Sequence, residues 1–279
     1  MRSFKKAATP YFIWALLFIV ISLLMVLYYA FTGESGNFST ENFVRFFAGS
    51  SLGTLWRSLK IAFFTTLICL VVGYPLAYAI SRLEARYRTL AIMLIMVPMW
   101  MNFLLRTYAW VTILSKNGVI NSFLRYIGAA ELDLLYREGA VILGMVYNFL
   151  PFMVLPIFTV IDKMDEGLIE AAADLGCNKL MTFIKVIFPL SLPGVASGIS
   201  MVFIPAISTF EITTLLGGNK TNLIGNVIEQ QFTVTGDWHY GSAMSVVLMV
   251  FLLFSLIFTR GEDEMGTGSV TSTAEVDRE

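Results

Sequence analysis

The sequence predicts an all-α integral membrane protein with six transmembrane helices. Apolar residues make up 57% of its 279 positions and charged residues 14%, against about 45–50% and about 25% in an average soluble domain. The apolar excess gathers into runs of about 20 residues, the length that crosses a hydrocarbon core about 30 Å thick. Lys and Arg are also divided unevenly between the connecting segments, which sets the orientation of a membrane chain.

Residues 1–10 form a short basic lead with Arg2, Lys5 and Lys6. The first run, 11–31, is nearly all aliphatic and aromatic. It is longer than the 7–15 apolar residues of a secretory signal and no small-x-small cleavage site follows, so it is expected as an uncleaved span. Residues 32–60 are expected as an outer loop. The next runs cover 61–80, 90–114, 139–161, 193–216 and 241–259, each of spanning length. Pro75, Pro98, Pro151, Pro156 and Pro205 fall inside them and predict kinks, made either for packing or to line a path.

With the amino terminus inside, the inner segments hold eleven Lys and Arg and the outer segments seven. The clearest inner cluster is Arg82, Arg86 and Arg88. Both termini are therefore expected in the cytoplasm. After Arg260 the chain is acidic and rich in Ser, Thr and Gly, so 260–279 is expected as a disordered tail.

The longest inner segment, 162–192, is too patterned to be a mere connector. Leu168, Ile169, Ala172 and Leu175 recur at helical steps, with Asp165 to cap the start and Gly176 to end it. Asn178 can cap a second short helix carrying Leu180, Phe183, Ile184 and Ile187, which Pro189 ends. An amphipathic face outside the bilayer must be covered, either by the bundle or by another subunit.

Glu170-Ala171-Ala172, Gly176 six residues after the Glu, and, after nine intervening residues, Val186-Ile187-Phe188-Pro189 resemble the EAA loop of ABC-importer permeases. The resemblance implies a type I importer (MetI-like) core at 61–259. It also implies that Glu170 makes a charged contact with an ATPase and that Gly176 makes the tight turn of the coupling loop. The stretches 97–110 and 144–165 are similar to the polyamine (spermidine/putrescine, PotB-type) branch, with weaker agreement at 58–82 and 215–228. That likeness implies two ATP-binding subunits, a homologous sister permease of the PotC type and an extracytoplasmic polyamine-binding protein. Importers of iron, thiamine or phosphonate are the nearest alternatives, and a docking scaffold the more distant one.

Several chemistries are excluded. A net charge of −1 offers no basic face to nucleic acid. One histidine, His239, and two separated cysteines, Cys69 and Cys177, supply neither a metal site nor a disulfide framework. There is no G-x-x-x-x-G-K-[ST] phosphate loop, so ATP hydrolysis is expected in separate subunits, with no cofactor bound here.

Charges within the spans need a reason, since each costs about 2.5–3.5 kcal/mol at mid-membrane. Counted along continuous helices, Arg106 and Glu211 fall in the outer third of the bilayer. Arg106 either snorkels or pairs with Glu211. Ser197, Ser200, Ser208 and Glu211 fall within an arc of about 80° on the fifth run, which is either a solute path or inter-helix hydrogen bonding. Gly194 and Gly198 form a G-x-x-x-G that permits close helix approach, though so short a motif also arises by chance. Trp100 and Asn102 suit ammonium groups, and aromatic residues there also serve as interfacial anchors.

Overall fold

A computed structural model of the chain describes residues 10–11, 13–33, 36–49, 51–218 and 220–271, with backbone alone for 258–271. The basic lead 1–9 and the tail residues 272–279 lie outside the described residues. Helices account for nearly all of it. We number them α1 (Ile13–Ala30), α2 (Glu41–Ala48), α3 (Ser51–Ser81), α4 (Ala85–Trp100), α5 (Phe103–Leu114) and α6 (Val119–Tyr126). They continue as α7 (Glu138–Asp162), α8 (Glu166–Asp174), α9 (Lys179–Ser208), α10 (Glu211–Gly217), α11 (Ile224–Gln230) and α12 (Trp238–Thr271).

Five of these, α1, α3, α7, α9 and the Trp238–Ile257 part of α12, are long and apolar enough to cross a membrane, and α4 with the chain from Phe103 forms a bent pair that is either a sixth, broken crossing or a re-entrant loop. The order of the six expected runs is thus retained, and the differences lie at their ends and breaks. Helix α3 begins ten residues before the expected span, so part of the supposed outer loop is helical. The backbone of α12 continues to Thr271, so helix extends past 260, where composition alone places the start of a disordered tail.

Helices α3, α7 and α9 pack on one another to form the centre. Cys69, Met145, Met153, Ile157 and Val202 are completely buried where they meet. The approach of α9 to α7 is close because two small residues allow it. A Cβ at Gly194 would stand 2.8 Å from the Pro156 carbonyl oxygen, and one at Gly198 2.8 Å from the Met153 sulfur. The G-x-x-x-G is therefore a packing motif, and its gain is van der Waals contact between backbones that no larger residue permits. Inside this centre the Tyr74 and Ser191 hydroxyls hydrogen-bond at 2.7 Å, tying α3 to α9.

The first span stands apart. Helix α1 meets the rest of the chain along α12, where Ala30, Ala243 and Val246 are buried with Val26 and Leu27 against them. Most of its side chains, Trp14, Leu17, Phe18 and Leu24 among them, are exposed, as suits a helix bathed in lipid. Beyond its C-terminal end Arg45 of α2 pairs with Asp237 at 2.8 Å and lies 4.1 Å over the Tyr240 ring, fastening α2 to the start of α12.

Two expected spans are broken rather than kinked. The third, read as one helix over 90–114, stops at Trp100 and restarts at Phe103 with a bend of 91°. Pro98 removes a backbone donor in the last turn of α4, Met101 is extended, and the Asn102 side chain caps the new helix by accepting from Leu104 N (2.9 Å) and Leu105 N (3.3 Å). The fifth, read as one helix over 193–216, stops at Ser208, four residues after which α10 is already in its first turn. Thr209 is extended, and Pro205 lies in the turn before it.

Candidate coupling site and substrate path

The segment between α7 and α9, the candidate coupling loop, is built from three local devices. Asp165 Oδ1 accepts from Gly167 N at 2.9 Å and so caps α8. At the far end Gly176 has φ +81°, with Gly176 N donating to Ala173 O (2.9 Å) and Cys177 N to Ala172 O (3.0 Å). These two bonds and a left-handed residue make a Schellman turn, which satisfies the last carbonyls of the helix. Asn178 Oδ1 then accepts from Met181 N at 2.8 Å and starts α9. All three residues act as their types and spacing predict.

Pro189 does not. No short second helix ends there, because α9 runs unbroken from Lys179 to Ser208. A π turn over Phe183–Ile187 widens the helix immediately before the proline, and Pro189 occupies the first turn of the α segment that follows. There its missing N–H has no regular partner to lose.

The apolar faces of the segment point two ways. Ala172 and Ile187 are buried against the bundle, whereas Leu168, Leu175, Leu180 and Ile184 are exposed, Leu175 by 85%. Glu170 and Ala171 are exposed on the same short helix, and Glu170 enters no ion pair among the described residues. Glu166 and Asp174 of that helix are exposed too, so its uncovered surface combines three carboxylates with leucines.

The two helix breaks are neighbours, since α5 packs against α10. At the second break the Phe210 carbonyl is held by Asn226 of α11, whose amide donates to it at 3.0 Å. The same amide donates to the Thr214 hydroxyl (2.9 Å), while Asn226 Oδ1 accepts from Thr213 Oγ1 (2.5 Å) and Leu223 N (3.1 Å). All four hydrogen-bonding positions of this buried side chain are filled, as a polar group out of water requires. Ile224 N donates to the buried Ser58 hydroxyl at 2.8 Å, anchoring α11 to α3.

Beside this break lies an open groove of about 600 Å³, lined in part by Ile204, Ser208, Phe210, Glu229, Leu248 and Leu252. Its walls are apolar and its one carboxylate is Glu229, which accepts from Thr233 Oγ1 at 3.0 Å. Sequence reasoning passed over Glu229 because α11 is a short helix between spans, invisible to a search for long apolar runs.

Glu211 opens α10, half-buried, with Thr209 Oγ1 at 3.4 Å from its carboxylate. Because the helix breaks before it, the 80° arc that joins it to Ser197 and Ser200 does not exist, and neither its depth nor that of Arg106 follows from residue counting. Ser200 and Ser208 bond to carbonyls of their own helix, so inter-helix bonding does not explain them. Arg106 makes no ion pair with Glu211. Its Nε is buried without a hydrogen-bond partner and its guanidinium lies 5.8 Å from the Phe103 ring centre. Trp100 is 79% exposed. Asn102 is exposed too, with its carbonyl oxygen committed to the cap.

Residues 2–261 match the family described as binding-protein-dependent transport system inner membrane components. The chain belongs to that family. This permease is 39% identical over 254 residues to the spermidine/putrescine transport system permease protein PotB of Haemophilus influenzae, covering 87% of this chain and 89% of that one. It is likewise 39% identical over 256 residues to PotB of Escherichia coli, covering 88% and 93%. Among solved structures, a bacterial ABC transporter involved in the import of the acidic polysaccharide alginate superposes with a TM-score of 0.79 at 19% identity, covering 93% of this chain and 96% of the other. The MetNI methionine ABC transporter superposes at 0.57, covering 77% and 95%. The type I importer fold is thereby established, and the permease is homologous to the PotB proteins.

Proposed function

We propose that this permease is one of two membrane subunits of an ATP-driven importer that carries polyamines, spermidine or putrescine, into the cell. The observation that carries the substrate class is the 39% identity with PotB permeases, spread over nearly nine tenths of the chain. Its partners in this reading are a homologous sister permease of the PotC type, two ATP-binding subunits and an extracytoplasmic polyamine-binding protein. Catalysis of ATP hydrolysis belongs to the ATP-binding subunits.

The uncovered face of α8, with Glu170, Leu168 and Leu175, docks an ATP-binding subunit, and the Gly176 turn transmits that subunit's motion to α9. Because α9 is continuous from Lys179 to the break at Ser208, a shift at the turn reaches the break along one rigid element. Movement of the break opens and closes the path between the two permeases, giving alternating access.

Along that path a polyamine meets Ser208 and Glu211 at one break and Trp100 and Asn102 at the other. Carboxylates and exposed aromatic faces suit its ammonium groups, and apolar walls suit its methylenes. Both termini and Cys177 lie on the cytoplasmic side, as the distribution of Lys and Arg favours.

Expression with the sister permease and ATP-binding subunits in cells lacking their own polyamine importer tests the assignment. Polyamine uptake is then restored, and iron, thiamine and phosphonate do not compete with it. Labelling of Cys177 by a membrane-impermeant thiol reagent, in a complex stripped of its ATP-binding subunits, tests the orientation. It occurs in opened or inverted vesicles, and labelling from outside intact cells contradicts the topology.

A further inference from the structure

A cavity of about 390 Å³ separates the inner end of α3 from the turn between α8 and α9. Arg82 borders it from the α3 side, and Cys177, Lys179 and Thr182 from the turn. Arg82 and Lys179 enter no ion pair among the described residues, and no carboxylate lines the cavity. The nearest acids border a smaller adjoining cavity that Arg82 also touches. There Asp162 is already paired with Arg88, and Glu166 lies on the same wall.

Two further features suit an anion. Thr182 is 6% exposed, yet its hydroxyl makes no hydrogen bond among the described residues, so a donor faces the cavity unused. The Arg82 guanidinium lies 5.1 Å from the Tyr78 ring centre, which limits its freedom and leaves its edge available. Two cations around one concavity repel each other until an anion sits between them, and a phosphate offers acceptor oxygens for a guanidinium, an ammonium and a hydroxyl together.

We propose that this cavity binds a phosphate oxyanion, carried by an acidic phospholipid headgroup or free in solution. Arg82 is the first residue beyond the Ser51–Ser81 span, at the level where headgroups lie. A bound phosphate bridges α3 to the α8–α9 turn and so braces the coupling element against the bundle. Anionic lipid in the surrounding leaflet then tunes coupling, which rests on the assignment of α8 as the element that docks the ATP-binding subunit.

The test uses the assembled complex in nanodiscs of phosphatidylcholine alone or with phosphatidylglycerol, and in detergent with or without millimolar inorganic phosphate. Nanodiscs expose both faces, so the outcome is independent of the Cys177 topology test. Phosphatidylglycerol raises the Tm of the wild-type complex by several degrees, and most of that rise is lost in Arg82→Gln/Lys179→Gln and kept in Arg82→Lys/Lys179→Arg. Should the charge-removing double variant fail to fold, Thr182→Val, which retains both cations, shows a reduced rise. A rise with inorganic phosphate and none with phosphatidylglycerol identifies the free ion as the occupant. Equal rises in wild type and all variants, or no rise with either probe, overturn the proposal. Loss of the ATP-binding subunits from the double variant in pure phosphatidylcholine also overturns it, by assigning the two cations to subunit docking.

Discussion

Asn226 donates its side-chain amide to the Phe210 carbonyl at 3.0 Å, just beyond the point where α9 stops and α10 begins. The bond joins two segments that are both short and both incapable of standing alone. The same carbonyl also accepts from Thr214 N and from the Thr213 and Thr214 hydroxyls, so the start of α10 is a fixed joint.

Replacement of Asn226 by Leu leaves Leu223 N without its acceptor in a buried place, while the Thr213 and Thr214 hydroxyls keep the Phe210 carbonyl. The expected cost is about 1–3 kcal/mol for each donor or acceptor left unsatisfied. A clear fall in the Tm of the purified complex checks this. Asn226→Asp, which keeps the acceptor oxygen but loses both donors, falls in between.

The glycine contacts between α9 and α7 are stiffer. Gly198→Leu drives a side chain into the Met153 sulfur and backbone, at 2.8 and 3.2 Å from where its Cβ begins. Neighbouring backbone cannot yield as a flexible side chain can. Little folded permease is expected in the membrane, measured as the yield of monodisperse protein after detergent extraction.

At Gly176 the constraint is conformational rather than spatial. Nothing lies within 4 Å of a Cβ built there, yet φ is +81°. A β-branched residue in the left-handed region costs about 1–2 kcal/mol or more, whereas Asn tolerates it. Gly176→Val is expected to insert normally but to lose ATP-binding subunits on co-purification. Gly176→Asn retains most of them, and removal of the charge in Glu170→Ala weakens the same association.

Arg106 and Glu211 stand on packed helices without an ion pair, which separates two effects of removing the acid. Glu211→Gln is expected to slow uptake several-fold while the complex still assembles and binds its external protein. Adding Arg106→Gln should not restore stability, because residues that do not interact behave additively. Recovery of stability in the double variant would instead identify a structural pair.

Legibility in the sequence followed the range of the interactions. The turn between α8 and α9 depends on Asp165, Gly176 and Asn178, each acting on residues two or three positions away, and all three structural roles were readable from type and spacing. The breaks were not. Pro98 and Pro205 announce a weakened helix, but whether it bends or parts is settled elsewhere, by the Asn102 cap in one case and by Asn226, sixteen residues beyond the Phe210 it holds, in the other. Hydropathy averages across such a break, and an arc drawn at 100° per residue continues through it without warning. Pro189 was misread for the opposite reason, because a π turn before it lets the helix pass.

Uptake by purified components tests the central assignment most directly. The permease is assembled with its sister subunit and ATP-binding subunits in sealed proteoliposomes, and the polyamine-binding protein and radiolabelled spermidine or putrescine are supplied on the external face. ATP enclosed with the ATP-binding subunits should drive accumulation of label, abolished by Gly176→Val and absent without the binding protein. ATP hydrolysis that proceeds without accumulation of either polyamine, in a complex shown to be intact, would contradict the assignment.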